Sequence, residues 1–220
     1  MTDIKVIVTA GGSSSRFGNS NKLLTVIKNK PVIQYSVDLY TEMGFEVVIP
    51  SNKSAVEDYR KIFKDYQNVK IIVGGATRQE SVKLALRILD DCSFVLIHDA
   101  ARPLITQDVV IKCIEAAKKH GGAIVGVKTT DTIKQINSDK IIQNTLKRDN
   151  LINVQTPQVF QYNKIRDFHE KYSDSSFTDD SALYEIENQE VYFVEGEYSN
   201  IKITTQTDIK LAELLLEQIV

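Results

Sequence analysis

Apolar residues along this chain gather in short continuous runs rather than long stretches. IKVIVTA (4–10), FEVVIP (45–50), VKIIVGG (69–75), SFVLIHDA (93–100) and GAIVGVK (122–128) are rich in β-branched residues and bounded by glycine or polar positions. Unbroken rather than alternating hydrophobicity suits strands covered on both faces, as in a parallel sheet. Between the runs the apolar positions fall at helical spacing. Val32, Tyr35, Leu39 and Met43 mark one face of VIQYSVDLYTEM, and Val82, Ala85, Leu86 and Leu89 one face of RQESVKLALRILDD. Strands alternating with amphipathic helices predict an α/β fold: a doubly wound, mostly parallel sheet whose ligands sit beyond the carboxyl ends of the strands.

After residue 130 this rhythm breaks. DTIKQI and IIQNTL, joined by Asn137-Ser138-Asp139-Lys140, read as a hairpin with polar residues on both faces. A strand pair with so little apolar surface is not stable alone. Residues 131–147 are therefore expected to form an extended β-arm that leans on a second subunit, the plainer alternative being an ordinary edge hairpin. SDSSF (173–177) reads as a mobile loop. Thr205 to Asp208 forms a capping-box pattern ahead of a terminal helix, DIKLAELLLEQIV. With no repeat, low-complexity tract or linker, the simplest organisation is a single domain over 1–220 carrying the arm.

Composition narrows the partners. Of 220 residues, 42% are hydrophobic and 25% charged, ordinary for a soluble globular protein. A formal net charge of −2 argues against nucleic-acid or membrane binding, which shows as a basic excess. Any anion site must come from a few cations gathered locally. No apolar run approaches the ~18 residues of a membrane span, and MTDIK has no signal-peptide pattern, so a cytoplasmic location is expected. Cys92 and Cys113 have no CxxC partner and no histidine at metal spacing, and read as reduced, buried thiols.

Three segments carry candidate chemistry, each at the end of a predicted strand. TAGGSSSRFGNSNK (9–22) places Gly11 and Gly12 where backbone amides can approach an anion closely, beside the forked donors of Arg16 and the compact charge of Lys22. It matches neither GxGxxG nor GxxxxGK[ST]. Gly74-Gly75-Ala76-Thr77-Arg78, with Ser81 one turn on, ends a second strand, and His98-Asp99-Ala100-Ala101-Arg102-Pro103 a third. Separately they have plain readings: a solvated loop, a helix-capping Asp99, a packed or backbone-bonded His98, an Arg102 salt-bridged to Asp99 or another acid. Three such loops on one sheet edge point to a cleft.

In order and spacing, TAGGSSSRFG…NK, GGATRQESV, VLIHDAARP, TTDTIK, KRDNL, QTPQVF, TDDSAL and EGEYSNIKITTQTDIKLA resemble the 2-C-methyl-D-erythritol 4-phosphate cytidylyltransferases over nearly the whole chain. The related ribitol 5-phosphate cytidylyltransferases share the fold and most motifs. HDAARP is more similar to the methylerythritol branch, the ribitol branch often having valine at the position of Ala101. The resemblance implies a Rossmann-like nucleotidyltransferase fold and transfer of CMP from CTP to a polyol phosphate, with release of pyrophosphate. It also implies Mg²⁺ or another divalent cation, held mainly by the triphosphate rather than by protein ligands, and a homodimer.

By the same resemblance Arg16 and Lys22 stabilise the transition state and departing pyrophosphate, while Arg148 and Lys202 position the acceptor phosphate. Ala10, Gly11, Gly12, Ser13, Gly75, Ser81 and Ala100 contact the nucleotide. Arg78, Asp99, Thr132 and Thr156 belong to the acceptor side, Thr132 and Arg148 reaching it from the neighbouring subunit's arm. Two departures stand out: Ser14 replaces a usual glycine of the first loop, and Thr178-Asp179-Asp180 replaces TDE, a change of small consequence if that acid caps a helix. A dianionic phosphate monoester, with a second pKa of ~6, needs no general base. Its chemistry calls for positioning and charge stabilisation. A non-catalytic nucleotide-binding relative, the alternative from another class, would tolerate loss of Lys22 or Lys202, and neither is lost.

Overall fold

All five apolar runs become strands of one sheet in the computed structural model, which describes residues 3–11, 17 and 21–218. In chain order the elements are β1 (Ile4–Thr9), the short pair β2 (Val26–Ile27) and β3 (Lys30–Pro31), α1 (Val32–Glu42), β4 (Glu46–Ser51), α2 (Val56–Ile62), β5 (Val69–Val73), α3 (Arg78–Ile88), β6 (Phe94–Asp99), α4 (Gln107–His120) and β7 (Gly122–Lys128). The hairpin β8 (Lys134–Ile136) and β9 (Ile142–Thr145) follows, then β10 (Ile152–Gln161), α5 (Tyr162–Lys171), α6 (Ser181–Ile186), β11 (Tyr192–Glu195) and α7 (Gln206–Gln218). Among the described residues the main sheet has the order β11-β7-β10-β6-β1-β4-β5. Only β10 runs against its neighbours, antiparallel to both β6 and β7.

Strand residues alternate between two apolar layers, which is why the runs carry no polar face. Val6, Val8 and Leu96 pack with Val37, Tyr40 and Val110 of α1 and α4, whereas Ile7, Val95 and Ile97 pack with Val82, Leu86 and Tyr184 of α3 and α6. Helices on both faces make the sheet doubly wound. From β1 the chain turns to β4 and β5 on one side, then returns to β6 on the other. The carboxyl ends of β1 and β6, where Thr9 and Asp99 are register partners, thus form a topological switch point, the usual crevice of such sheets.

Beyond residue 130 the structure adds what the hydrophobic pattern did not predict. β10, in the middle of the sheet, contains Pro157, a residue that argues against a central strand. It is accommodated by a register shift between Val154 and Gln158, which leaves 155–157 outside the ladder to β7. The expected hairpin is present as β8 and β9, and every residue of both strands is exposed, Ile136 at 57% and Ile142 at 61%. The capping pattern before α7 is half realised: the Thr205 and Thr204 amides donate to Asp208 Oδ2 at 2.7 and 2.8 Å. Both cysteines are buried and unpaired, and burial pushes the Cys113 thiol up to about 12. Among the described residues no helix is long and apolar enough to cross a membrane.

Candidate active site

Asp99, at the carboxyl end of β6, is the hub of the crevice. Lys202 Nζ lies 2.7 Å from its Oδ2 and Arg102 Nε 3.7 Å, while Arg78 Nε and Thr9 Oγ1 donate to Oδ1 at 3.4 and 3.3 Å. Burial favours the neutral acid, but Arg78 and Lys202 outweigh it and hold the carboxyl well below the usual carboxylate range. Lys22 completes the set, its Nζ donating to the Ile203 carbonyl at 2.8 Å. It sits on a 3₁₀ turn, Lys22–Leu24, capped by Asn21 Oδ1, which accepts from the Leu23 amide, and tethered by Asn21 Nδ2 to the Tyr59 hydroxyl at 3.0 Å.

Arg78 opens α3 and faces two acids. Its Nη1 lies 2.7 Å from Asp180 Oδ2, and Asp180 Oδ1 is 3.0 Å from His169 Nε2. Asp180 and His169 are both nearly inaccessible. The change from TDE to TDD is expected to matter little if the acid caps a helix; the Asp180 side chain makes no cap bond to α6 and is committed to a buried charge pair. Burial is opposed by Arg78 and His169, leaving the Asp180 carboxyl below its ordinary value. Three cations (Arg78, Arg102, Lys202) thus converge from separate segments on two carboxylates, and Lys22 lines the same crevice. The surplus is positive, and Lys202 and Arg78 keep 42% and 29% of their side-chain surface exposed, so an anion can reach them.

Two adjoining cavities share Arg78, Asp99 and Lys202; Gly11, Lys22, Leu23 and Ser81 line the first, and Arg102, Gln155, Thr156 and Gln158 the second. Ser81 is locked in place: its hydroxyl donates to the Thr77 carbonyl at 2.8 Å and accepts from the Gly75 amide at 3.0 Å. A Cβ on Gly74 would fall 2.7 Å from Ser81 Oγ, and one on Gly11 3.1 Å, so these glycines serve close approach. The Ala10 and Ala100 amides are spent on the Pro50 and Thr9 carbonyls.

His98 is fully buried, and its partners fix the tautomer. Its Nε2 faces the Arg102 carbonyl at 3.1 Å, so that nitrogen carries the proton and donates; Nδ1 then accepts from the Thr156 hydroxyl, which itself accepts from the Asp99 amide. Burial lowers the imidazole to about 4. His98 is a packed neutral histidine, as one of its plain readings had it, and Arg102 is indeed paired with Asp99. Thr156 lines the second cavity with its hydroxyl already engaged on both sides.

Thr132 and Arg148 are exposed and line neither cavity, Arg148 Nη1 donating to the Thr130 carbonyl at 3.1 Å. Gly12, Ser13, Ser14 and Arg16 lie outside the described residues. The sequence reading missed Asp180, His169 and Asn200 as supports of the site. Asp180 and Asn200 lie within matched motifs, TDDSAL and EGEYSNIK, but nothing in their spacing says that they are buried.

The family model described as 2-C-methyl-D-erythritol 4-phosphate cytidylyltransferase matches residues 4–218. The enzyme of that name from Clostridium tetani is 41% identical over 215 residues, covering 94% of this chain and 87% of its own. Its counterpart from Clostridium botulinum is 40% identical over the full length of both. The crystal structure of the 4-diphosphocytidyl-2C-methyl-D-erythritol synthase from Anaerococcus prevotii superposes with a TM-score of 0.88 at 33% identity, covering 98% of this chain and 99% of that one. A match of this extent, on a chain whose switch-point crevice gathers four cations, places the protein in the 2-C-methyl-D-erythritol 4-phosphate cytidylyltransferase family.

Proposed function

We propose that this chain is a cytidylyltransferase that moves CMP from CTP to 2-C-methyl-D-erythritol 4-phosphate, a step of isoprenoid precursor synthesis. An oxygen of the acceptor phosphate attacks the α-phosphorus, the bond from that phosphorus to the bridging oxygen breaks, and pyrophosphate leaves with the electron pair. The observation that carries this reading is the convergence of Arg78, Arg102 and Lys202 on Asp99, with Lys22 lining the same crevice. Bringing one anion onto another requires fixed cations that need not reorganise as charge shifts. No proton has to be removed, in keeping with His98 being buried, neutral and turned to Arg102 and Thr156.

In this reading Lys22, with Arg16 from the neighbouring loop, meets the charge that moves to the pyrophosphate, and Lys202 holds the acceptor phosphate beside Asp99. Gly11, Gly75 and Ser81, with Ala10 and Ala100, form the wall for the nucleoside. A divalent cation such as Mg²⁺ enters as part of the nucleotide substrate and offsets triphosphate charge. Among the described residues no group of three or more histidine, cysteine or acidic side chains is gathered to hold one. The 131–147 arm is taken as the dimer contact of a single-domain chain, with Ile136, Ile141 and Ile142 exposed along it and Thr132 and Arg148 delivered to the partner's acceptor site. The cytoplasm is the compartment that suits this chemistry.

The test is Mg²⁺-dependent pyrophosphate release from CTP across a panel of polyol phosphates. Turnover is expected with 2-C-methyl-D-erythritol 4-phosphate. Turnover with ribitol 5-phosphate and none with methylerythritol phosphate would overturn the acceptor, and none with any acceptor the transferase itself.

A further inference from the structure

The strap 200–203 is pinned at both ends and carries or receives both lysines of the crevice. At its start Asn200, 1% exposed, donates from Nδ2 to Gln155 Oε1 at 3.1 Å and to the Thr156 carbonyl at 3.0 Å. Its own carbonyl accepts from Arg102 Nη1 at 2.8 Å. At its end Ile203, fully buried, donates its amide to the Ala101 carbonyl and accepts Lys22 Nζ, each at 2.8 Å. Between the pins, Lys202 reaches Asp99.

Residues 155–157 of β10 lie at the register shift, outside the ladder to β7. The Asn200 amide therefore supplies there the partner that a neighbouring strand would otherwise provide. Burying an amide is costly unless its donors are met, and here they are spent on fixing the strap to the sheet. We infer that Asn200 is a positioning residue of the transfer reaction: without touching substrate, it sets the register of the strap and so the placement of Lys202 on Asp99. This rests on the cytidylyltransferase reading.

The experiment compares wild type, Asn200→Ala, Asn200→Ser, Lys202→Ala and the Asn200→Ala/Lys202→Ala double variant, each well below its melting temperature. A displaced reacting group costs up to roughly 10²-fold, so Asn200→Ala should lower kcat/KM for the acceptor by about 30–100-fold. The Kd for CTP should stay within about threefold, because the cytidine wall is carried by other segments. The decisive readout is the cycle: once Lys202 is gone, adding Asn200→Ala should cost less than about threefold. Losses that multiply, or near-wild-type turnover of Asn200→Ala, overturn the proposal, as does failure of both Asn200 variants to fold. If wild type transfers no CMP, the functional reading fails separately. The strap is then still read by the Lys202 Nζ resonance in nitrogen-labelled protein, which should shift or broaden in Asn200→Ala; an unchanged resonance overturns the positioning role.

Discussion

Protonating His98 should destabilise the protein from the inside, through the burial of its ring. The ring is inaccessible to solvent and its two nitrogens are already committed to the Arg102 carbonyl and the Thr156 hydroxyl. Burial lowers its pKa from 6.5 to about 4, the Arg102 carbonyl pulling the other way without prevailing. An unfolded chain takes up this proton as the pH falls below about 6.5, whereas the folded chain resists until about 4. The contribution of neutral His98 to stability is therefore whole above the upper value and drains away through the window between them. Integrated across that window, the loss is about 2 kcal/mol on going from about pH 7.5 to about pH 5. Urea unfolding of wild type and His98→Gln at several pH values isolates it. Glutamine keeps a donor and an acceptor but does not titrate, so the variant starts less stable and falls less steeply, and subtraction cancels the other groups. The stability difference should narrow by about 2 kcal/mol across that range. Parallel profiles for the two proteins would refute the buried neutral histidine.

Three further outcomes are expected. Lys22→Ala, and Arg16→Ala beside it, should each lower kcat by roughly 10²–10³, about 3–4 kcal/mol, by analogy with loss of a single transition-state donor. Calorimetry should find the Kd for CTP much less affected, and a wild-type kcat in Lys22→Ala would reduce the loop to a binding surface. Asp180→Asn removes the charge facing Arg78 and His169, and should cost about 2–4 kcal/mol in urea melts, Arg78 keeping Asp99 as a remaining partner; an unchanged midpoint would show the pair to be idle. Ile136→Lys combined with Ile142→Lys should give a monomer in sedimentation with little transferase activity, and a fully active monomer would discard both the dimer and the in-trans roles of Arg148 and Thr132.

The parallel strands were legible from their apolar runs: β1, β4, β6 and β7 are mostly buried on both faces, and β5, only partly buried at the sheet edge, still shows as a short run rich in β-branched residues. β10 was hidden because Pro157 and the polar residues Gln155, Thr156 and Gln158 serve the register shift and the crevice rather than the core. In the site, Asp99 and Arg102 were visible as a pair at a strand end, yet their plain readings were as good until Lys202, over a hundred residues away, was seen on the same carboxylate. Asp180 was missed for a related reason. An acid before a helix often caps it, whereas this one faces His169 of α5 and Arg78 of α3 instead. Local pattern reports what a residue does for its own element, and the supports of this site act on other elements.

The close approach of Gly74 to Ser81 makes the identity of one position conditional on the other. Gly74 does not occupy the left-handed backbone region, so what forbids a side chain there is the Ser81 hydroxyl 2.7 Å away, followed by Ser81 Cβ at 3.2 Å and the Ser51 amide at 3.4 Å. Remove the hydroxyl and the severest of those contacts disappears. Alanine at 74 should then be tolerated with alanine or glycine at 81 and rejected beside serine, so that in a library randomised at both positions the two would drift as a linked pair instead of as two fixed sites.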